Sequence, residues 1–398
     1  MVTAPSVQFE KPAPSSDALT QCAAIIAHEP ALAVRLAAER SADEFARALA
    51  DVAQSRGIAL DDAALNTLTN HREIRLGHHC SDWPLSSRRF WQPFALEWTS
   101  DGAELIWGCA TATPDSPFHE QTVMDLRTRP INRLFAVRTP LTAKFAAALQ
   151  ADALPTRGLI FHMSRCGSTL IAQALKAWPG TRVISEPALL DAALTMACTG
   201  NDAGGQLFRI VLAALSQPRG DDRDVIIKLD AWHAMALTKI KTLVDAPWLF
   251  VYRDPCEVLV SHAREPGRHT IPGMLPETWF NVARSHEAGA LTDYAAHVIG
   301  TICSAIVPHA DAANLINYSE LPDAIAARVA PLFGLATDAR SAELKAMLSR
   351  HAKRSYENFV DDRPTKRAAT SATIRDAAQR WIEPHYAALE KIRCGQET

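Results

Sequence analysis

A short apolar run, Gly158-Leu159-Ile160-Phe161, passes through His162-Met163-Ser164-Arg165-Cys166-Gly167-Ser168 directly into a helix-forming stretch. A strand that is apolar on both sides needs cover on both faces, so such a segment belongs in a parallel sheet flanked by helices. The same pattern recurs downstream. Strands are expected at 182–184, 225–227, 248–252 and 315–317. Helices are expected over 169–178, 189–198, 206–215 and 232–243, and from Pro255 through His262. The expected fold class is α/β, a three-layer α/β/α arrangement around a central parallel sheet, occupying residues 151–398.

The loop after the first of these strands carries the chemistry. Backbone N–H groups at a helix start form an anion site, aided by the helix dipole. Gly167 permits a close backbone approach, Ser168 and Thr169 add hydroxyl donors, and Arg165 adds a fixed charge. Ser164 and Cys166 complete the turn. The loop therefore reads as a cradle for a phosphate or sulfate. It is not a Walker A loop, which needs a Gly-Lys-Ser/Thr end. Here the basic residue precedes the glycine, which argues against an ATP or GTP hydrolase.

A second motif lies about ninety residues on. Tyr252-Arg253-Asp254-Pro255 ends a strand, and Ser261 follows two turns along the next helix. Arg253 offers a charge-assisted fork and Ser261 a short donor, and both can address one anion. A third segment, Asn317-Tyr318-Ser319-Glu320-Leu321, precedes another helix. Together these motifs resemble the P-loop sulfotransferases that use 3′-phosphoadenosine 5′-phosphosulfate as donor. The resemblance spans about 155–340. It implies that the 164–169 loop grips the 5′-phosphosulfate, that Arg253 and Ser261 hold the 3′-phosphate, and that Tyr318 lies near the adenine. It also implies a basic closing segment near the C-terminus, for which Lys366 and Arg367 are the candidates. Ser319 and Glu320 depart from the family's Tyr-Glu-Asp-Leu order.

Transfer of a sulfuryl group needs an in-line nucleophile, matched developing charge and excluded water. Side-chain cations suffice for this, so no metal is implied. Arg165 and Lys228, the latter ending the strand Asp224-Val225-Ile226-Ile227-Lys228, are the candidate charge stabilisers. Two carboxylates compete as general base for a hydroxyl acceptor, less readily an amine. Glu186, in Ile184-Ser185-Glu186-Pro187, matches the catalytic glutamate of tyrosylprotein-type members and is placed first. Asp230 matches the catalytic histidine position of the cytosolic small-molecule members and is placed second. His162 reads as a packed histidine. Cys166, at a helix start, is expected to have a lowered thiol pKa and to be sensitive to oxidation. The alternatives are an ATP-dependent P-loop phosphotransferase and a nucleotide-binding module without turnover.

Residues 1–16, rich in Pro and Ser, read as a disordered tail, and 17–70 as a small helical domain. Asp17, Pro30, a Ser41/Glu44 capping box and Asp61 mark four helix starts. The steps Ala18-Leu19, Glu29-Pro30-Ala31-Leu32, Leu36, Asp43-Glu44-Phe45 and Gly57-Ile58 resemble helical leader-peptide domains of the nitrogen-fixation type. Residues 71–150 hold Trp83, Trp91, Trp98 and Trp107 and read as an aromatic-rich α+β subdomain, with a strand at 104–107. His78, His79 and Cys80, with His71 and His119 in reach by sequence, read as structural or surface residues, because adjacent ligands point in different directions. The first 150 residues are expected to recognise the acceptor, a small molecule or a peptide, or to form a homodimer. The formal charge of −3 argues against nucleic acid bound through overall charge. No apolar run reaches the roughly 20 residues of a membrane span, and Met1–Pro14 has no signal-peptide pattern. Eight cysteines without a C-x-x-C pair fit reduced thiols in a cytoplasm. The segment 265–276 is the expected substrate loop, and 350–367 the expected basic one.

Overall fold

The computed structural model describes residues 17–69, 76–110, 116–198, 202–275, 279, 290–336 and 363–396. The tail 1–16, His71, Pro276 and the basic residues Arg350, Lys353 and Arg354 lie outside them. The described residues form two compact units. One draws on the described residues within 17–116, 120–153 and 210–220, the other on those within 117–119, 154–209 and 221–396.

The first unit begins with four helices, α1 (Asp17–His28), α2 (Pro30–Ala38), α3 (Ala42–Ser55) and α4 (Asp62–Thr69). The starts of α2, α3 and α4 have the expected causes, while Asp17 stands inside the first turn of α1. Pro30 occupies the first turn of α2, Ser41 Oγ accepts from Glu44 N at 3.2 Å, and Asp61 Oδ1 accepts from Ala64 N at 2.7 Å. The Ser41 hydroxyl also donates to the Glu44 carboxylate at 2.8 Å, a side-chain variant of the capping box. A four-stranded sheet follows, formed by β1 (Leu76–His79), β2 (Trp91–Thr99), β3 (Gly102–Cys109) and β4 (Phe135–Pro140) in the order β1-β4-β3-β2.

The expected division near residue 70 is not a division of the core. Leu19, Leu36, Phe45 and Leu49 share one buried cluster with Trp83, Trp91 and Trp107. Trp83 meets both other indoles edge-on, with centroids 5.5 and 5.6 Å away, and its Nε1 donates to Ala27 O at 2.9 Å. Helices and sheet each have one apolar face, and burying the two against each other removes both from water. Trp98 is the exception among the four and is exposed.

The second unit holds five strands, β5 (Thr156–His162), β6 (Thr181–Ser185), β7 (Asp224–Lys228), β8 (Trp248–Tyr252) and β9 (Leu315–Asn317). All are parallel, in the order β6-β7-β5-β8-β9, with helices between them. The fold is thus the expected α/β class with a central parallel sheet. β6 and β7 lie to one side of β5 and β8 and β9 to the other, and this reversal places a crevice at the carboxyl ends of the strands. The register aligns those ends, pairing Ser185 with Lys228, His162 with Val251 and Tyr252 with Asn317. The C-terminal helix Glu383–Arg393 braces two of them. Glu390 Oε1 accepts from Tyr252 Oη at 2.5 Å and from Asn317 Nδ2 at 3.1 Å.

One expected helix differs. The stretch 232–243 is a 3-10 turn over Ala231–Ala236 followed by an α-helix over Leu237–Leu243. Asp230 precedes the turn without capping it. Its carboxylate is left to the side chains around it.

Candidate active site

The loop between β5 and the helix Ser168–Leu175 is built from unusual backbone. Ser164, Arg165 and Gly167 all have positive φ, at 76°, 50° and 88°. Left-handed non-glycine residues cost energy and persist only where surroundings hold them. Here Met163 N donates to Val251 O at 3.0 Å, Arg253 N to Met163 Sδ at 3.0 Å, and Ser164 N to His162 Nδ1 at 3.1 Å. That last bond leaves Nδ1 unprotonated, so His162 carries its proton on Nε2, 3.0 Å from Leu229 O. His162 is therefore packed, as expected, and it also shapes the loop.

Gly167 has a second constraint. A Cβ there would lie 2.7 Å from Tyr318 Cδ2 and 2.9 Å from Leu321 Cδ1. Gly167→Ala is expected to destabilise the protein by about 1–3 kcal/mol, the cost of a strained backbone site. Thermal denaturation checks it, and an unchanged midpoint would mean that the loop relaxes freely.

Ser168 and Thr169 open the helix and are both buried. Cys166 departs from its expectation. Its Sγ points to Val251 O at 3.0 Å, and burial pushes the thiol up to about 11 despite the neighbouring Ser168 N–H and Lys228. A buried neutral thiol is a packing group rather than an oxidation-sensitive one, and only the Cys166 backbone faces the loop's task. Arg165 pairs with Glu265, the residue that ends the helix Pro255–Arg264. Its Nη1 lies 2.9 Å from Glu265 Oε2, and Nη2 lies 2.5 Å from Glu265 O.

Glu186, Lys228 and His162 meet at the ends of β6, β7 and β5. Lys228 Nζ donates to Glu186 Oε1, which also lies 3.3 Å from His162 Nε2. Glu186 N donates to Lys228 O at 2.7 Å, and its φ is 52°. Burial would raise the Glu186 carboxyl, but the Lys228 ammonium and His162 hold it well below the usual carboxylate range. Lys228 is fully buried, with its ammonium 5.2 Å from the Phe118 ring.

Asp230 has the opposite environment. Burial pushes its carboxyl up, His233 pulls it down, and the Glu186 and Asp191 carboxylates push it up again, to about 7. His233 Nε2 lies 3.0 Å from Asp191 Oδ1 and 3.9 Å from Asp230 Oδ2, and Trp232 Nε1 donates to Asp191 Oδ1 at 2.7 Å. Asp191 has no signal in the spacing, and His233 has only its place after a strand end. They lie on a helix and a 3-10 turn whose approach only packing decides.

Arg253 lies 3.8 Å above the Tyr318 ring. Its Nε and Nη2 each lie 2.7 Å from Glu257 Oε2, and the other oxygen of Glu257 takes Arg367 Nε at 3.0 Å. Two guanidinium groups thus share one buried carboxylate. Ser261 lies one turn beyond Glu257 on the helix Pro255–Arg264, on the same face. Lys366, beside Arg367, is buried. The structure thus brings Arg253, Tyr318 and Arg367 together. Glu257, their organiser, is readable only as an i+4 partner of Arg253. Glu320 has a local task as well. Its side chain accepts from Asn317 N at 2.8 Å in a capping box, which accounts for the shifted acidic order after Tyr318.

No family model matches the chain, the N-terminal helices included, and no curated protein matches it. Among solved structures the chain is similar to the sulfotransferase domain from the curacin biosynthetic pathway. Identity is 13% and the TM-score 0.37, over 57% of this chain and 98% of that one. It is also similar to sulfotransferase STF9 from Mycobacterium avium, at 13% identity and a TM-score of 0.34, over 86% of this chain and 97% of that one. No helix among the described residues is long and apolar enough to cross a membrane.

Proposed function

We propose that the chain is a sulfotransferase that uses 3′-phosphoadenosine 5′-phosphosulfate and a hydroxyl acceptor. The observation that carries this reading is the continuous wall formed by Gly167, Tyr318 and Arg253. A Cβ at Gly167 would fill the space against the Tyr318 ring, and Arg253 covers that ring at 3.8 Å. Two motifs far apart in sequence meet on one aromatic side chain, as a single nucleotide site requires.

The residues present fit such a nucleotide. Residues 164–169 would hold the 5′ end, Tyr318 the base, and Arg253, Ser261, Lys366 and Arg367 the 3′-phosphate. The nucleotide supplies the sulfuryl group. Arg165 and Lys228 offset negative charge that develops beside them. Asp230 is the carboxylate matched to taking a hydroxyl proton near neutral pH. The order of the two carboxylates in the sequence reading is thereby reversed. Glu186, tied to Lys228, positions the ammonium at the strand end. Carboxyl groups driven apart in pKa by their surroundings take different roles. The 265–275 stretch, which touches Arg165 through Glu265, is the proposed substrate loop, and the 17–153 region the proposed acceptor or peptide module.

Thermal stabilisation tests the reading. A ligand that binds only the folded state raises stability according to its affinity, by about 2.7 kcal/mol at a hundredfold excess over Kd. Stabilisation is expected from 3′-phosphoadenosine 5′-phosphate, and much less from AMP or from ATP with Mg²⁺. Preference for ATP with Mg²⁺ would move the assignment to a phosphotransferase. Bisphosphate binding without turnover of any acceptor would mark a binding module.

A further inference from the structure

Outside the nucleotide crevice, the first unit gathers three side chains with metal-ligand chemistry. His28 is the last residue of α1, His78 lies on β1, and Cys80 follows that strand. Cys80 Sγ and His28 Nε2 are 3.4 Å apart, and the His28 and His78 rings meet edge-on at 5.8 Å. One ligand atom from each of the three lies within 4.8 Å of the others.

The local structure explains the convergence. Cys80 N donates to Arg138 O at 2.9 Å, which continues the pairing of β1 with β4 by one residue. Side chains two apart on extended backbone share a face, so His78 and Cys80 point the same way. His79 points to the other side, with Nδ1 3.5 Å from Glu104 Oε1. The adjacent pair that weakened a metal reading in sequence is thus not the pair that matters. The third ligand comes from a helix end fifty residues earlier.

We propose that His28, His78 and Cys80 form a binding site for a transition-metal cation, zinc(II) by preference. Two imidazoles and a thiolate suit zinc, and three protein ligands leave a fourth position to water or another small ligand. Bond lengths of about 2.0 Å to nitrogen and 2.3 Å to sulfur imply tetrahedral donor separations of roughly 3.3–3.6 Å. The His28–Cys80 distance already meets this range, and His78 closes by a small side-chain rotation. Cys80 is buried and His28 exposed, so the site is anchored inside and open outside. The C-terminal end of α1, which His28 closes, favours a cation. Binding releases the Cys80 proton to solvent as the S–metal bond forms.

Cobalt(II), a spectroscopic stand-in for zinc, tests the proposal on the full chain after chelation. The expected result is uptake of about one equivalent, with a thiolate-to-cobalt absorption in the near ultraviolet that zinc(II) abolishes. Cys80→Ser removes the band. His28→Ala, an exposed position where the fold is retained, weakens binding by at least about tenfold. The Asp191–Asp230–His233 cluster contains no sulfur and cannot produce this band. No uptake, uptake without the band, or a band unchanged in both variants would each overturn the proposal.

Discussion

Asp230→Asn lowers kcat by about 10²–10⁴-fold, the usual worth of a positioned general base, and leaves nucleotide stabilisation in place. In the parent protein the rate rises with pH through about 7, as burial and the Glu186 and Asp191 carboxylates make the Asp230 proton hard to lose. That limb disappears in the variant. The same ionisation opposes folding. The native carboxyl keeps its proton up to about 7, whereas an unfolded aspartate releases it near about 4. The native state therefore binds more protons across that window, and stability falls as pH rises through it. Asp230→Asn removes the penalty, so the variant is expected to melt higher than the parent at pH 8 and to gain nothing at pH 4. Matching pH–rate profiles of the parent, Asp230→Asn and Glu186→Gln decide the point. If the rising limb survives in Asp230→Asn and vanishes in Glu186→Gln, the base is Glu186.

Arg253→Ala is expected to have two separable effects. The first is loss of stabilisation by 3′-phosphoadenosine 5′-phosphate, because the variant lacks the guanidinium over Tyr318. The second is loss of fold stability. Glu257 is almost wholly buried and is left with Arg367, whose side chain is mostly exposed, as its cation at 3.0 Å. Removing one member of a buried pair costs about 3–5 kcal/mol, because a charge is left in low dielectric. The double variant Arg253→Ala with Glu257→Ala removes that stranded charge. It is expected to recover much of the melting temperature while still failing to respond to the nucleotide. Recovery of both would show that Arg253 serves the fold alone and that the 3′-phosphate is held elsewhere.

Much of the second unit is legible in the chain because its strands are short, apolar and bounded. The runs 158–161, 225–227 and 248–252 lie in β5, β7 and β8, and all three are buried parallel strands. The strand-to-helix step is equally readable, since Gly167 and the hydroxyl residues after it mark the start of the helix Ser168–Leu175. Cys166 was misread for one reason. A helix start lowers a thiol's pKa, but full burial outweighs it, and burial is a property of the packed molecule. Lys228 and Glu186 could be placed at strand ends, yet their ion pair needed the β6–β7 register, which pairs Ser185 with Lys228.

What the chain by itself determined is local. It set where strands and helices start, where the chain turns between β5 and the helix Ser168–Leu175, and which residue types stand at the sheet's carboxyl edge. These follow from backbone sterics, capping and periodicity, all of which act over a few residues. Only the tertiary structure decided which charges meet. It joined Arg253 and Arg367 through Glu257, raised the Asp230 carboxyl by burying it and placing two carboxylates nearby, and brought His28 to Cys80. Electrostatic energies depend on distance and on exclusion of water, and neither is defined until distant segments pack.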